Sequence, residues 1–184
     1  MKKTFLIILV SLLLLLLNTS HGQNYPMYLP YGYTINKTVA RVIDGDTFVL
    51  SDLPAGQAGS LHVRMLGVNT PEIARFNKPA QPFADSATNF TRSLIEGKTV
   101  KLTFACPSEA KRRRDGKTYD IFGRLLCYVW LTNTAGKDSL FIQAELLKAG
   151  LARISHYPRG MRYYDLFYNL RRTAMRDKRG IWNK

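Results

Sequence analysis

The chain has 184 residues, the length of one ordinary domain. Its hydrophobic fraction of 46% is that of a globular protein with a real core, which excludes a chain too polar to bury one. Lys and Arg number 27 against 13 Asp and Glu; a net charge of +14 favours polyanions, nucleic acid or an anionic surface, although solubility alone would also account for it.

Lys2-Lys3, the apolar run from Thr4 to Leu17 and the small residues at Ser20-His21-Gly22 read as a secretory signal peptide over 1–22. The run is short for a spanning helix, which needs about 20 residues. A retained N-terminal anchor is the alternative, and both readings predict export to the cell envelope, the periplasm or the medium. Cleavage would remove Lys2 and Lys3 and leave +12. Residues 23–37, rich in Tyr, Pro and Gly at their start, read as a flexible leader, and 38–184 as the folded domain.

Thr38 to Ile43 and Thr47 to Leu50 have the apolar, β-branched character of strands, followed by a polar turn insert from Ser51 to Ser60. Leu61 to Val68 predicts a third strand. Ala80 to Ile95 has helical spacing and stops at Gly97. Thr99 to Phe104 alternates as a strand, Pro107 to Tyr119 is a loop with the basic run Lys111-Arg112-Arg113-Arg114, and Arg124 to Leu131 is the fifth strand. Leu140 to Lys148 and Tyr163 to Lys178 predict two further helices. Five strands with a helix between the third and fourth match an OB-fold barrel, an α+β architecture, although another α+β domain has the same periodicity. Cys106 and Cys127 lie on or near neighbouring strands; a disulfide and two buried thiols both remain open.

The chemistry concentrates between Val42 and Glu72. Asp44 and Asp46 flank Gly45, and two short carboxylates around a glycine can bend toward one hard cation such as Ca²⁺. Arg64 offers a planar fork suited to phosphate. Glu72, just after the rigid Thr70-Pro71 pair, is placed as a general base. A cation, a phosphate clamp and a base together describe phosphodiester hydrolysis. Taken singly, each has a structural reading: a polar turn, a surface arginine, a helix-capping carboxylate.

With the later run Asp120-Ile121-Phe122-Gly123-Arg124, the pattern resembles the thermonuclease (staphylococcal nuclease-like) family. That family has DGDT, then R-x-x-x-V-D-T-P-E, then D-x-Y-G-R in this order, and the resemblance covers Ala40 to Trp182. It implies the family's barrel with extra terminal helices, and a Ca²⁺ ion held by Asp46, the residue at Asn69 and the Thr70 backbone carbonyl, with Asp44 orienting ligands or waters. Asn69 departs from the family's aspartate; its amide oxygen can still coordinate, but one ligand charge is gone, which predicts weaker Ca²⁺ binding. Arg64 and Arg124 match the two phosphate-binding arginines and Glu72 the residue that activates water. The implied reaction cleaves on the 5′-oxygen side and leaves 3′-phosphates. Phe122 stands where the family has a tyrosine and can stack on a base without donating a phenolic hydrogen bond. The family's two later tyrosines fall at His156 and Pro158, so Tyr157 or Tyr163 would supply stacking. Lys111, Arg112, Arg113 and Arg114 would track the phosphate backbone or form a solvated loop. Arg171, Arg172, Arg176, Lys178 and Arg179 read as a solvated helix face.

The expectation is an exported, Ca²⁺-dependent monomeric endonuclease acting on DNA and RNA with little sequence specificity. One rival is a non-catalytic nucleic-acid-binding barrel with a weakened metal site. Another is a basic envelope protein that binds anionic lipid or polymer.

Overall fold

A computed structural model describes residues 33–51, 61–104, 119–133, 136–155 and 161–183. Its longest strand, β1 (Thr34–Asp44), serves two neighbours. The first half pairs antiparallel with β5 (Thr99–Phe104), from Thr34 opposite Thr103 to Thr38 opposite Thr99. The second half pairs antiparallel with β2 (Thr47–Leu50), from Val39 opposite Leu50 to Asp44 opposite Thr47. Two register irregularities, between Val39 and Arg41 and between Val42 and Asp44, bend the strand and add twist.

That bend lets the sheet close. β2 pairs with β3 (Leu61–Met65), and β5 with β6 (Leu125–Thr132), both antiparallel. The ring is completed by a parallel contact between β3 and β6, with Val63 opposite Leu125 and Met65 opposite Cys127. Five strands in the order β1-β2-β3-β6-β5 form a barrel with no open edge. The expected α+β, five-stranded OB-type barrel with three helices is thus the observed fold.

The local boundaries need four corrections. The strand expected over 61–68 breaks at Leu66-Gly67, and its end becomes β4 (Val68–Asn69), paired antiparallel with β8 (Arg153–Ile154). Leu140 and Phe141 belong to β7 (Asp138–Phe141), an extra strand on β6, because Phe141 stacks on Trp130 across the strand pair at 4.1 Å. β1 starts four residues before Thr38, inside the segment read as leader, because 34–37 find hydrogen-bonding partners on β5. The first helix starts at Ala84, not Ala80.

Alternation sorts the barrel's side chains. On β3, Val63 and Met65 are buried while His62 and Arg64 point to the other face. Val39, Phe48, Leu102, Phe104, Leu125 and Val129 fill the same interior, each large side chain contributing about 2 kcal/mol by burial. Helix α1 (Ala84–Ile95) presents Ala84, Ala87, Thr88, Thr91 and Ile95 inward at helical spacing. Helix α2 (Ile142–Lys148), rich in strong helix formers, buries Ile142, Leu146 and Leu147. Its buried Gln143 accepts from Val129 N–H and donates to Cys127 O, both at 3.0 Å, so neither β6 nor the amide is left unsatisfied. Helix α3 (Tyr164–Arg176) buries Phe167 against Phe141 and Tyr163.

The chain end is fastened to the turn after α2. Ile181 N–H donates to Gly150 O at 2.9 Å. A Cβ on Gly150 would lie 2.3 Å from Arg179 O, and one on Gly180 2.3 Å from Gly150 O. Both have positive φ, so side chains are excluded there by contact and by conformation.

No helix among the described residues is long and apolar enough to cross a membrane. The signal segment 1–22, most of the leader, the 52–60 insert, the basic loop with Lys111, Arg112, Arg113 and Arg114, and Cys106, His156, Tyr157 and Pro158 lie outside the described residues. Cys127 is buried in β6.

Candidate active site

The tight turn between β1 and β2 forms because the Asp44 side chain substitutes for a backbone partner: its Oδ1 accepts from Asp46 N–H at 3.2 Å. Gly45 lies against α1 and the β4 end. A Cβ there would come within 2.7 Å of Thr70 Cγ2 and 2.8 Å of Ala87 Cβ, and Thr91 Oγ1 donates to Gly45 O at 2.7 Å. Glycine is therefore required by close approach.

Asp46 is buried and heavily engaged. Its Oδ2 accepts from Thr70 N–H at 2.8 Å and its Oδ1 from Thr47 Oγ1 at 3.1 Å. The same Oδ1 meets Arg64 Nη1 as an ion pair, with no hydrogen-bond alignment for that nitrogen. Arg64 Nη2 donates to Asn69 Oδ1 at 2.6 Å. Burial first, and the nearby Arg124 charge second, push the Arg64 guanidinium down to about 10, against the pull of Asp44, Glu72 and Asp120. It remains cationic at neutral pH.

A cleft of about 490 Å³ opens beside this cluster, lined by His62, Glu72, Arg75, Phe122, Gly123 and Arg124. Arg124 is held by Asp120, whose Oδ2 accepts from Arg124 Nε at 2.7 Å and whose Oδ1 accepts from the Phe122 and Arg124 N–H groups, both at 2.9 Å. Arg124 Nη1 also reaches Thr47 Oγ1 at 3.4 Å. The Phe122 ring lies 5.4 Å from the Arg124 guanidinium. Glu72 is half-exposed, and Arg75 Nη2 stands 3.8 Å from its Oε2 and 2.7 Å from Asp44 Oδ2. A carboxylate open to water, facing a forked cation across a basic cleft, can take a proton while the cation neutralises an anionic oxygen.

A family profile described as staphylococcal nuclease homologue matches residues 62–184. The chain is 35% identical over 146 residues to a thermonuclease of Staphylococcus intermedius, covering 79% of this chain and 75% of that protein. It is 33% identical over 145 residues to a thermonuclease of Staphylococcus hyicus, covering 79% and 74%. It belongs to the staphylococcal nuclease family. The chain is also similar to the endonuclease YncB of Bacillus subtilis, 34% identical over 151 residues and covering 63% of that protein. The family match begins inside β3, so the Asp44–Thr47 turn of this staphylococcal nuclease homologue stands outside it.

Of the residues singled out in the sequence, Asp46, Arg64, Asn69 and Thr70 form one cluster, with Asp44 on the same turn. Glu72, Phe122 and Arg124 line the cleft. Arg64 does not line it; it is turned toward Asp46 and Asn69. Thr70 meets Asp46 through its N–H. Tyr163 is not a surface platform, since its ring packs edge-on against Tyr128 at 5.0 Å. Among the described residues, no three His, Cys, Asp or Glu side chains gather as a metal site. The Asp46 and Asn69 oxygens nevertheless converge on one cation, the Arg64 guanidinium, and a hard metal ion would use the same oxygens. Arg75 and His62 were not found by sequence reasoning. Alternation gives a signal for His62, two residues before Arg64 and so on its face of β3. Arg75 reads as a loop arginine until the fold folds it back on Asp44.

Proposed function

We propose that residues 38–184 form an endonuclease domain that hydrolyses phosphodiester bonds of DNA and RNA, and that the chain is exported through its N-terminal segment. The observation that carries this reading is the shared cleft of Glu72, Arg75, Phe122 and Arg124 beside the buried Asp46–Arg64–Asn69 cluster. The nuclease names of the similar proteins support it.

Arg124 would grip a non-bridging phosphate oxygen with Nη1 while Asp120 fixes its Nε and Nη2 edge. Glu72 would accept a proton from the attacking water, whose oxygen adds to phosphorus as the bond to the 5′-oxygen breaks. The leaving 5′-oxygen would take a proton from solvent, so the products would be a 3′-phosphate and a 5′-hydroxyl. Charge grows on the equatorial oxygens in this step, so clamps placed beforehand count most in the transition state. Asp46, Asn69 and the Thr70 carbonyl would hold Ca²⁺, whose chemistry is to withdraw charge from the phosphate oxygens. Arg64 would then exchange its hold on Asp46 and Asn69 for the substrate phosphate.

The deciding experiment is cleavage of single-stranded DNA by the chain lacking 1–22 across a Ca²⁺ titration with an EGTA control. Glu72→Ala is expected to lower the rate by about 10²–10⁴-fold. Asn69→Asp is expected to shift the titration to lower Ca²⁺, because it restores a ligand charge. A second reading, a nucleic-acid-binding barrel without turnover, is favoured by one feature: Arg64 already neutralises the single carboxylate of the ligand set. Salt-sensitive DNA binding with no cleavage at any Ca²⁺ level would establish that reading instead.

A further inference from the structure

The loop between β4 and α1 carries a feature that hydrolysis leaves unused. Arg75 and Lys78 exchange backbone hydrogen bonds, Arg75 N–H to Lys78 O at 3.0 Å and Lys78 N–H to Arg75 O at 2.8 Å. Phe76 and Asn77 form the tip. A second rung lies at the foot, where Gln81 N–H donates to Glu72 O at 2.9 Å and Gln81 Oε1 accepts from Glu72 N–H at 3.1 Å. The Arg75 side chain ties this small hairpin to Asp44. Whatever the tip touches is therefore held in fixed relation to Glu72.

Phe76 is unusual twice over. Its φ of 44° is in the left-handed region, at the turn position where glycine is the common choice. Its ring is fully exposed to solvent. Neither property stabilises the fold, and a strained, wetted aromatic beside a site points to a ligand. The surroundings say which kind. Arg75 lines the cleft, Lys78 follows three residues later, and the cleft's other turn carries Arg124 with Phe122 75% exposed. Cations beside a bare π-face suit a polynucleotide strand, with phosphates on the cations and an unpaired base on the ring. A single phenyl ringed by charge offers too little apolar area for a protein partner.

We propose that Phe76 is a base-stacking subsite that receives an unpaired nucleobase next to the nucleotide whose phosphate lies in the cleft. The proposal rests on the reading of that cleft as the place where nucleic acid is cut. It assigns Phe76 to substrate binding and leaves the chemical step to other groups.

The test compares Phe76→Ala, Phe76→Gly and Phe76→Trp on two substrates: a 12-nucleotide single strand and a nitrophenyl phosphodiester of one nucleoside. The alanine and glycine variants should raise KM for the oligonucleotide by about 10-fold, while the small diester, which has no neighbouring nucleotide to place on the ring, keeps its KM. The glycine variant should melt no lower than the parent, because glycine relieves the left-handed strain, so its weaker binding could not be a folding defect. Phe76→Trp should restore KM, and its fluorescence should be quenched by the oligonucleotide. An unchanged KM for the oligonucleotide, or an equal rise for both substrates, would overturn the proposal. If the parent cuts neither substrate, the cleavage reading fails, and anisotropy of a fluorescein-labelled oligonucleotide decides the subsite separately. An unchanged Kd in Phe76→Ala then rejects the subsite, and an affinity loss of about 10-fold upholds it.

Discussion

Arg64 rises from the barrel wall into a network that runs through Asp46, Asn69 and Thr70 and is backed by α1, whereas Arg124 sits on a turn held together by its own Asp120. The first arrangement is built from four separate elements and is mostly dry, the Arg64 side chain being 13% exposed. The second is local in sequence, with every Asp120 bond spanning four residues or fewer. The difference teaches where function and stability are coupled. Disturbing the buried network should cost both, while the local turn should lose function alone.

The sharpest contrast comes from removing each arginine. Arg64→Ala leaves the buried Asp46 carboxylate without its cation and should destabilise the fold by about 3 kcal/mol in urea unfolding. Arg124→Ala breaks a part-buried pair that is local to one turn and should cost about 1 kcal/mol. Both should lower cleavage by about 100-fold or more, as expected for loss of a transition-state clamp. Equal stability losses would erase the distinction between the two walls. A smaller effect is expected for Gly45→Ala, which forces a Cβ against Thr70 and Ala87 and should cost about 2 kcal/mol in thermal melts. Cleavage should fall with it, since Asp46 is the next residue. Smallest is Asp120→Asn. It retains an oxygen for the two backbone N–H groups, so stability should change by less than about 1 kcal/mol. The oligonucleotide KM should rise severalfold as Arg124 loses its anchor.

What could be read from the sequence follows the same division. The Asp44–Thr47 turn and the Asp120–Arg124 turn are made by residues within a few positions of each other, so their motifs are visible in one dimension. The five barrel strands also announce themselves, by apolar, β-branched runs and, at Thr99–Phe104, by alternation. The parallel contact of Val63 with Leu125 joins positions far apart in the chain, and no local pattern encodes it. Strands as short as β4 and β8 are set by each other, which explains why the run from Leu61 to Val68 looked continuous. Arg75 was hidden for the same reason. Its partner Asp44 is 31 positions away, so its side chain is an ordinary loop arginine until the barrel closes.

The contact between Gly150 and Gly180 bears on the order in which this molecule can be assembled. β8 follows the Gly150 turn, pairs Arg153 with Asn69, and places the Arg153 guanidinium 5.5 Å from the Trp182 ring. A ribosome that has released the first 150 residues has therefore delivered Asp46, Arg64, Glu72 and Arg124 without the clasp that steadies the strand beside Asn69. Vectorial synthesis would thus leave the Asp46–Arg64–Asn69 cluster unsteadied until residues 150–182 arrive, a form of delay set by chain order.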